Sequence, residues 1–155
     1  SHRLAWGPDQ HLPILLEMII SAKGSIYIYQ QALQDVTISK ALQEAAGRGV
    51  DVRLIMSQFP FGEKHGNKSA PEQELLRQAG GKVRLTGETN AEGIKLHIHA
   101  KVMIVDEDLM YLGSANFYTP SLTHDRQVGV ITRNPKHIKP VLERFLQDWK
   151  AEERH

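Results

Sequence analysis

His97, His99 and Lys101 stand at alternate positions of the stretch LHIHAKVMIVD, and Ser114 and Asn116 repeat that spacing in MYLGSANF a few residues on. Alternate residues of an extended chain share one face. A strand here carries two imidazoles and an ammonium where amphipathic packing alone asks for no more than Ser, Thr or Glu. Ile98, Ala100, Val102 and Ile104 fill the other positions and would pack under a helix. A tight hairpin with Glu107-Asp108 as its loop pairs Lys101 with Ser114 and His99 with Asn116. Opposed side chains have Cβ atoms roughly 5 Å apart, so the four groups would meet on one patch. A three-residue loop would instead turn Ala115 toward His99 and lose that convergence.

An imidazole, with a reference pKa of about 6.5, serves as nucleophile or acid–base, while a cation, a hydroxyl and a carboxamide NH2 are donors for anionic oxygens. That set suits phosphoryl transfer. Displacement at phosphorus is in line, so the attacking group and the leaving-group acid sit on opposite sides of the phosphate. One His99 cannot fill both places, and the chemistry asks for a second histidine-bearing unit. A metal pair at His97 and His99 has two things against it: no third ligand of fitting spacing nearby, and a cation at Lys101 that repels metal. His97 reads as a polar neighbour at the sheet edge.

The elements that must position these residues are marked along the chain. Pro13 at a first helical position, then Ile14, Leu15, Met18, Ile19 and Ala22, predict a helix ended by Gly24. SIYIYQ from Ser25 reads as a strand. Asp35 caps a second helix with apolar positions at Val36, Ile38, Leu42, Ala45 and Ala46, stopped by the glycines at 47 and 49. VDVRLIM is the next strand. A polar loop from Gln58 to Ser69 leads to Pro71, which opens a third helix ending at Gly80-Gly81, and then to the strand KVRL. The second half brings strands close together and ends in a helix from about Pro135, whose stripe of Val141, Leu142, Phe145, Leu146 and Trp149 reads as core. Strands alternating with helices predict an α/β fold with a mixed β-sheet sandwiched between helices, mainly parallel in its first half.

Size and composition set bounds on all of this. A chain of 155 residues, 41% hydrophobic, forms one domain with a real core. Its formal net charge of +1 comes with neither a basic nor an acidic tail, which counts against strong attraction to nucleic acid. Without cysteine, disulfide frameworks and thiolate metal sites are excluded, though an oxidising compartment is not. No apolar run approaches the roughly 18 residues of a membrane span, and the first twenty residues are too polar for a signal peptide. Ser1-His2 has the look of a cloning remnant, and the chain reads as a unit that could have been cut from a longer one.

His99-x-Lys101, four residues and Asp106, then Gly113-Ser114-x-Asn116, resembles the HxK(x)4D signature and downstream GSxN of the phospholipase D superfamily. SAKGSIYIYQQAL, ALQEAAGRGVDVRLIM and the terminal FLQDW are similar to its repeating half-unit, and WGPD is similar to the start of the second half of a bilobal bacterial enzyme such as a cardiolipin synthase. The resemblance implies a phospholipase D/nuclease-like fold, with residues 1–155 as one HxK half-unit. It implies His99 as the nucleophile that forms a phosphohistidine, or as the general acid. Lys101 and Asn116 would hold non-bridging phosphate oxygens with Ser114 beside them, and Asp106 would be structural at the strand end. No metal or other cofactor is implied. The implied partners are a phosphodiester substrate, phospholipid ahead of nucleic acid, and a second HxK unit, supplied by a homodimer or an N-terminal half. Contact with a membrane surface and a location facing a bacterial cytoplasm are further expectations.

One position departs from the family's pattern. A carboxylate that supports the histidine is usual after GSxN, where this chain reads Asp125-Arg126-Gln127. Neutral Gln127 can accept the imidazole N–H bond but gives up charge assistance, which roughly halves its strength. Asp125 lies on the same strand face and would substitute. Three functions follow from this reading: a metal-independent phosphodiesterase acting on phospholipid by hydrolysis or phosphatidyl transfer, a homodimeric endonuclease, and a non-catalytic scaffold or dimerisation lobe with a weakened site.

Overall fold

A computed structural model describes residues 2–57, 66–86, 101–113 and 128–152. In chain order the elements are β1 (His2–Trp6), α1 (Gly7–Ser21), β2 (Ser25–Gln30), α2 (Val36–Gly47), β3 (Asp51–Ser57), α3 (Ala70–Gln78), β4 (Lys82–Thr86), β5 (Lys101–Val105), β6 (Leu109–Gly113), β7 (Val128–Thr132) and α4 (Pro135–Glu152). The strands form one seven-stranded sheet in the order β1-β7-β6-β5-β2-β3-β4. β2, β3 and β4 run parallel. β2 then pairs antiparallel with β5, and the order β5, β6, β7, β1 continues antiparallel to the edge. This is the mixed sheet between helices that the alternation of elements predicts.

Strand alternation sorts the apolar side chains into two cores. Ile26 and Ile28 of β2, Val52, Leu54 and Met56 of β3, and Met103 and Val105 of β5 face α1, α2 and α3, where they meet Leu15, Ile19, Ile38, Leu42 and Leu76. Tyr27 and Tyr29, Ile55, Val102 and Ile104 face the opposite way onto Ile138, Phe145 and Trp149 of α4. The pleat that sends consecutive residues to opposite faces is therefore what makes three layers out of one sheet. Phe145 carries the α4 side. It is fully buried, stacked on Tyr27 at 5.1 Å and set beside Trp149 at 6.1 Å between ring centroids.

Local signals account for most boundaries. The Asp35 carboxylate accepts the Ile38 N–H at 2.8 Å, satisfying a donor that the first turn of α2 leaves without an intrahelical partner. Proline stands at the entrance of α3, where its missing N–H costs nothing. Two expectations are corrected, and one strand is added to those expected. α1 begins at Gly7, so Pro13 lies inside it and not at its first position. The turns before the proline are anchored by His11, fully buried and edge-on to the Tyr111 ring at 5.9 Å. Val36 is 67% exposed and adds nothing to the core face of α2. β1, which the pattern of HRLAW does not announce, pairs along its whole length with β7.

Candidate active site

Lys101 opens β5, and the two faces of that strand are fixed by its neighbours. Val102 and Ile104 belong to the α4 core and Met103 and Val105 to the other, so Lys101 shares the face of Met103. The ammonium is half-buried. Burial alone moves its pKa below the ordinary lysine value of 10.5, and no carboxylate among the described residues acts on it.

Asp106 follows the strand directly and closes it against the start of β2. Its Oδ1 accepts the backbone N–H groups of Gly24 at 2.6 Å, Ser25 at 3.0 Å and Lys23 at 3.1 Å, and its Oδ2 accepts that of Lys23 at 3.0 Å. The Asp106 N–H in turn donates to the Ser25 carbonyl at 2.8 Å. Burial of the carboxyl pushes its pKa up, but the Gly24, Ser25 and Lys23 N–H bonds and the Lys23 charge outweigh that, and the net direction is below the ordinary 3.8. A residue so placed holds two strands together, at the end of β5 away from Lys101.

That clasp also sets the hairpin. Lys101 pairs with Gly113 and Val105 with Leu109, leaving Asp106, Glu107 and Asp108 as the loop. The expected pairing of Lys101 with Ser114 through a two-residue Glu107-Asp108 loop is thus wrong by one residue. Asp106 and Glu107 take φ of 53° and 62°, and Asp108 N–H returns to the Val105 carbonyl at 3.2 Å. Two residues with positive φ make a turn whose twist suits a hairpin. Asp106 is drawn into it because its carboxylate is committed to residues 23–25.

Gly113 itself has a clear packing reason. Tyr111, two residues earlier on the same strand and fully buried, lays its ring across Gly113 and across Gly129, which pairs with Gly113 from β7. A Cβ on Gly113 would lie 2.5 Å from the Tyr111 hydroxyl and 2.7 Å from the Val128 carbonyl oxygen, and one on Gly129 would collide with the same ring. The pair of glycines is a slot for the tyrosine.

The C-terminal ends of β2 and β3 are braced by a chain of polar side chains. Ser69 Oγ accepts the Leu33 N–H at 2.9 Å, the Ser69 N–H donates to Asn67 Oδ1 at 3.1 Å, and Asn67 Nδ2 donates to Gln73 Oε1 at 3.1 Å. Gln73 Nε2 then reaches the Met56 sulfur at 3.3 Å. Ligands in open α/β sheets bind at this end of the parallel strands.

Of the residues expected at the site, the structure places Lys101 on β5 and Asp106 at its end. His97, His99, Ser114, Asn116, Asp125 and Gln127 lie outside the described residues. Two residues were missed. Gln30 ends β2 fully buried, and Tyr111 roofs Gly113. The signal for the first is a glutamine on the third beat of the alternation Ile26, Ile28, Gln30. Among the described residues no helix is long and apolar enough to cross a membrane.

Residues 15–149 match the model of the family described as cardiolipin synthase, PLD-like domain. A cardiolipin synthase of Geobacillus kaustophilus is 30% identical over 152 residues, spanning 95% of this chain and 29% of the relative. The human mitochondrial cardiolipin hydrolase is 26% identical over 141 residues, 91% of this chain and 52% of the relative. The crystal structure of Nuc from Salmonella typhimurium, a phospholipase D family member, superposes with a TM-score of 0.82 at 27% identity, over 97% of this chain and 95% of that one. The chain thus spans from under a third to about half of the length of these two curated relatives, but nearly all of Nuc.

Proposed function

Because the chain belongs to the phospholipase D-like family, whose members include phosphodiesterases of lipid, we propose that it is a metal-independent phosphodiesterase working through a phosphohistidine on His99. In the first displacement the P–N bond to His99 forms as the P–O bond to the leaving alcohol breaks, and a second histidine protonates the departing oxygen. In the second, water or an alcohol attacks phosphorus, gives its proton to that second histidine and releases His99. In a pair of identical units each His99 fills one of the two places. Lys101 and Asn116 hold the non-bridging oxygens with Ser114 beside them, as the family resemblance implies and not through a direct cross-strand pairing of Lys101 with Ser114.

The observation that carries this reading is Lys101. A half-buried ammonium, free of any carboxylate among the described residues, stands on a strand clasped by Asp106, within a chain that matches the family almost end to end. The need for a second unit finds support in the sheet face beyond the reach of α4. There Leu4, Leu112 and Val128 are 49%, 44% and 46% exposed on one side of β1, β6 and β7, an apolar surface of the kind that a partner covers. Phospholipid is favoured over nucleic acid because the net charge is only +1 and binding to a phosphate backbone draws on many cations.

The test is turnover by purified protein in a chelator, against a chromogenic phosphodiester, phospholipid vesicles and single-stranded DNA. Turnover on the diester and on vesicles, abolished by His99→Asn with an unchanged fold, is the expected result. Loss in chelator with recovery on adding zinc or magnesium refutes the metal-independent mechanism. Cleavage of DNA alone moves the assignment to a nuclease. Absence of turnover on all three leaves a scaffold lobe.

A further inference from the structure

A cavity of about 290 Å³ opens between α1 and the side of the sheet formed by β1, β7 and β6, and the phosphodiester reaction does not use it. Its floor is apolar, lined by Ile14 and Met18 of α1 and by Leu109 and Ile131 of the sheet. Charge is confined to its walls. Arg3 pairs with Ile131 in the β1–β7 ladder, and Ile131 belongs to the core under α1, so the Arg3 side chain leaves β1 on the α1 side. Arg133, two residues beyond Ile131, lines the same cavity. Across an antiparallel pair this is the diagonal relation, with Cβ atoms about 7–8 Å apart, a gap that long side chains close. Glu17, three residues after Ile14 and one before Met18, lines the wall that α1 provides. Among the described residues neither Arg3 nor Glu17 makes a hydrogen bond or an ion pair, with each other or with any other group. Arg133 has Asp108 at 3.7 Å, with both side chains exposed. Such a surface pair contributes little and yields readily to a stronger anion.

We propose that this cavity binds a small zwitterion that carries a phosphate and an ammonium, the phosphate between Arg3 and Arg133 and the ammonium at Glu17. Two guanidinium forks match the oxygens of a phosphate in pairs, and their charge balances a phosphate monoester of about −2. A carboxylate in the same wall opposes a bare anion and favours one with an amine attached, while the apolar floor takes the methylenes between the two charges. The volume stands at the lower end of ligand cavities, roughly 300 Å³, which is room for a headgroup and not for acyl chains. Phosphoethanolamine free in solution and the headgroup of an aminophospholipid present this same chemistry. The site is separate from the one at Lys101. β6 runs from Leu109 at the cavity to Gly113 opposite Lys101, and at roughly 3.4 Å per residue the two ends lie about 14 Å apart.

Titration calorimetry on the full chain with phosphoethanolamine, ethyl phosphate and inorganic phosphate tests the proposal, and none of these probes carries the diester bond that the chain would break. Phosphoethanolamine binds about tenfold more tightly than ethyl phosphate, which has the same phosphate without the amine. Arg3→Gln and Arg133→Gln each weaken phosphoethanolamine about tenfold. Glu17→Gln removes the preference and brings phosphoethanolamine level with ethyl phosphate. All three side chains are exposed, so thermal melts of these variants stay close to the wild type. Lys101→Met leaves the affinity unchanged. Loss of binding in that variant places the probe at Lys101 and overturns the proposal. So do an absence of binding at millimolar probe, equal affinity for phosphoethanolamine and ethyl phosphate, and an affinity indifferent to Arg3→Gln and Arg133→Gln. Co-sedimentation with phosphatidylcholine vesicles, with and without phosphatidylethanolamine, then identifies the source. Retention that needs both phosphatidylethanolamine and Arg3 supports the site as a lipid-headgroup site, and binding of soluble phosphoethanolamine without vesicle retention supports it as a site for the free molecule.

Discussion

Replacing Asp106 by Asn tests how the strand bearing Lys101 is held. The carboxylate gathers the N–H groups of Lys23, Gly24 and Ser25, with contacts of 2.6 to 3.1 Å. Hydrogen bonds to a charged group contribute about 1.5–3 kcal/mol, and those between neutral groups about 0.5–1.5. Losing the charge while keeping one acceptor oxygen thus removes about 1 kcal/mol per donor, or about 3 kcal/mol over three donors. The new NH2 must also face the Lys23 N–H or turn away from it. For a chain of this length about 3 kcal/mol lowers Tm by about 6–12 °C. The pH dependence has a definite sign. The folded carboxyl titrates below the ordinary 3.8, so its contribution is complete above 3.8 and is lost as pH falls through the lower folded value. Urea unfolding from pH 7 downward should show a gap between wild type and Asp106→Asn that is constant near neutrality and narrows in acid. Equal midpoints at pH 7, or a gap that persists once the carboxyl is protonated, would refute the charge-based account of the clasp.

Burial depresses the Lys101 ammonium below 10.5, so affinity for an anionic diester should fall as pH rises toward that lower value, and a KM flat to beyond 10.5 contradicts it. Gly113→Ala drives a Cβ to 2.5 Å from the Tyr111 hydroxyl and should cost about 1–3 kcal/mol by overpacking. Tyr111→Phe in the same chain should recover part of that loss in a thermal melt. Phe145→Ala opens the α4 core and should destabilise by about 3–5 kcal/mol in urea unfolding, with little change if α4 packs only loosely.

Elements announced by local chemistry were legible in the sequence. The Asp35 cap, the proline at the entrance of α3 and the stripe of Phe145 and Trp149 each act within a few residues of themselves. What escaped was decided at long range. β1 exists because β7 offers it an edge more than a hundred residues away, and the turns of α1 before Pro13 are held by His11 against Tyr111. The hairpin register escaped for the same reason. Glu107-Asp108 is as plausible a loop as Asp106-Glu107-Asp108 until the Asp106 carboxylate is seen to be committed to residues 23–25.

The site divides in the same way. Lys101 at the start of β5 and Asp106 just past its end were legible as strand positions, while the neighbour that Asp106 grips becomes visible only when β2 is known to lie beside β5. The two kinds of information meet in one ladder. Asp106 ties the end of β5 to the start of β2, and the same ladder runs on to Tyr29 opposite Val102, one residue from Lys101. A slip of one residue would turn Lys101 toward α4 and send Val102 to the opposite face, since every side chain on a slipped strand changes face. An aspartate five residues beyond the lysine is therefore a register pin. It stands at the other end of β5 from Lys101, yet it fixes which face of the sheet the cation stands on.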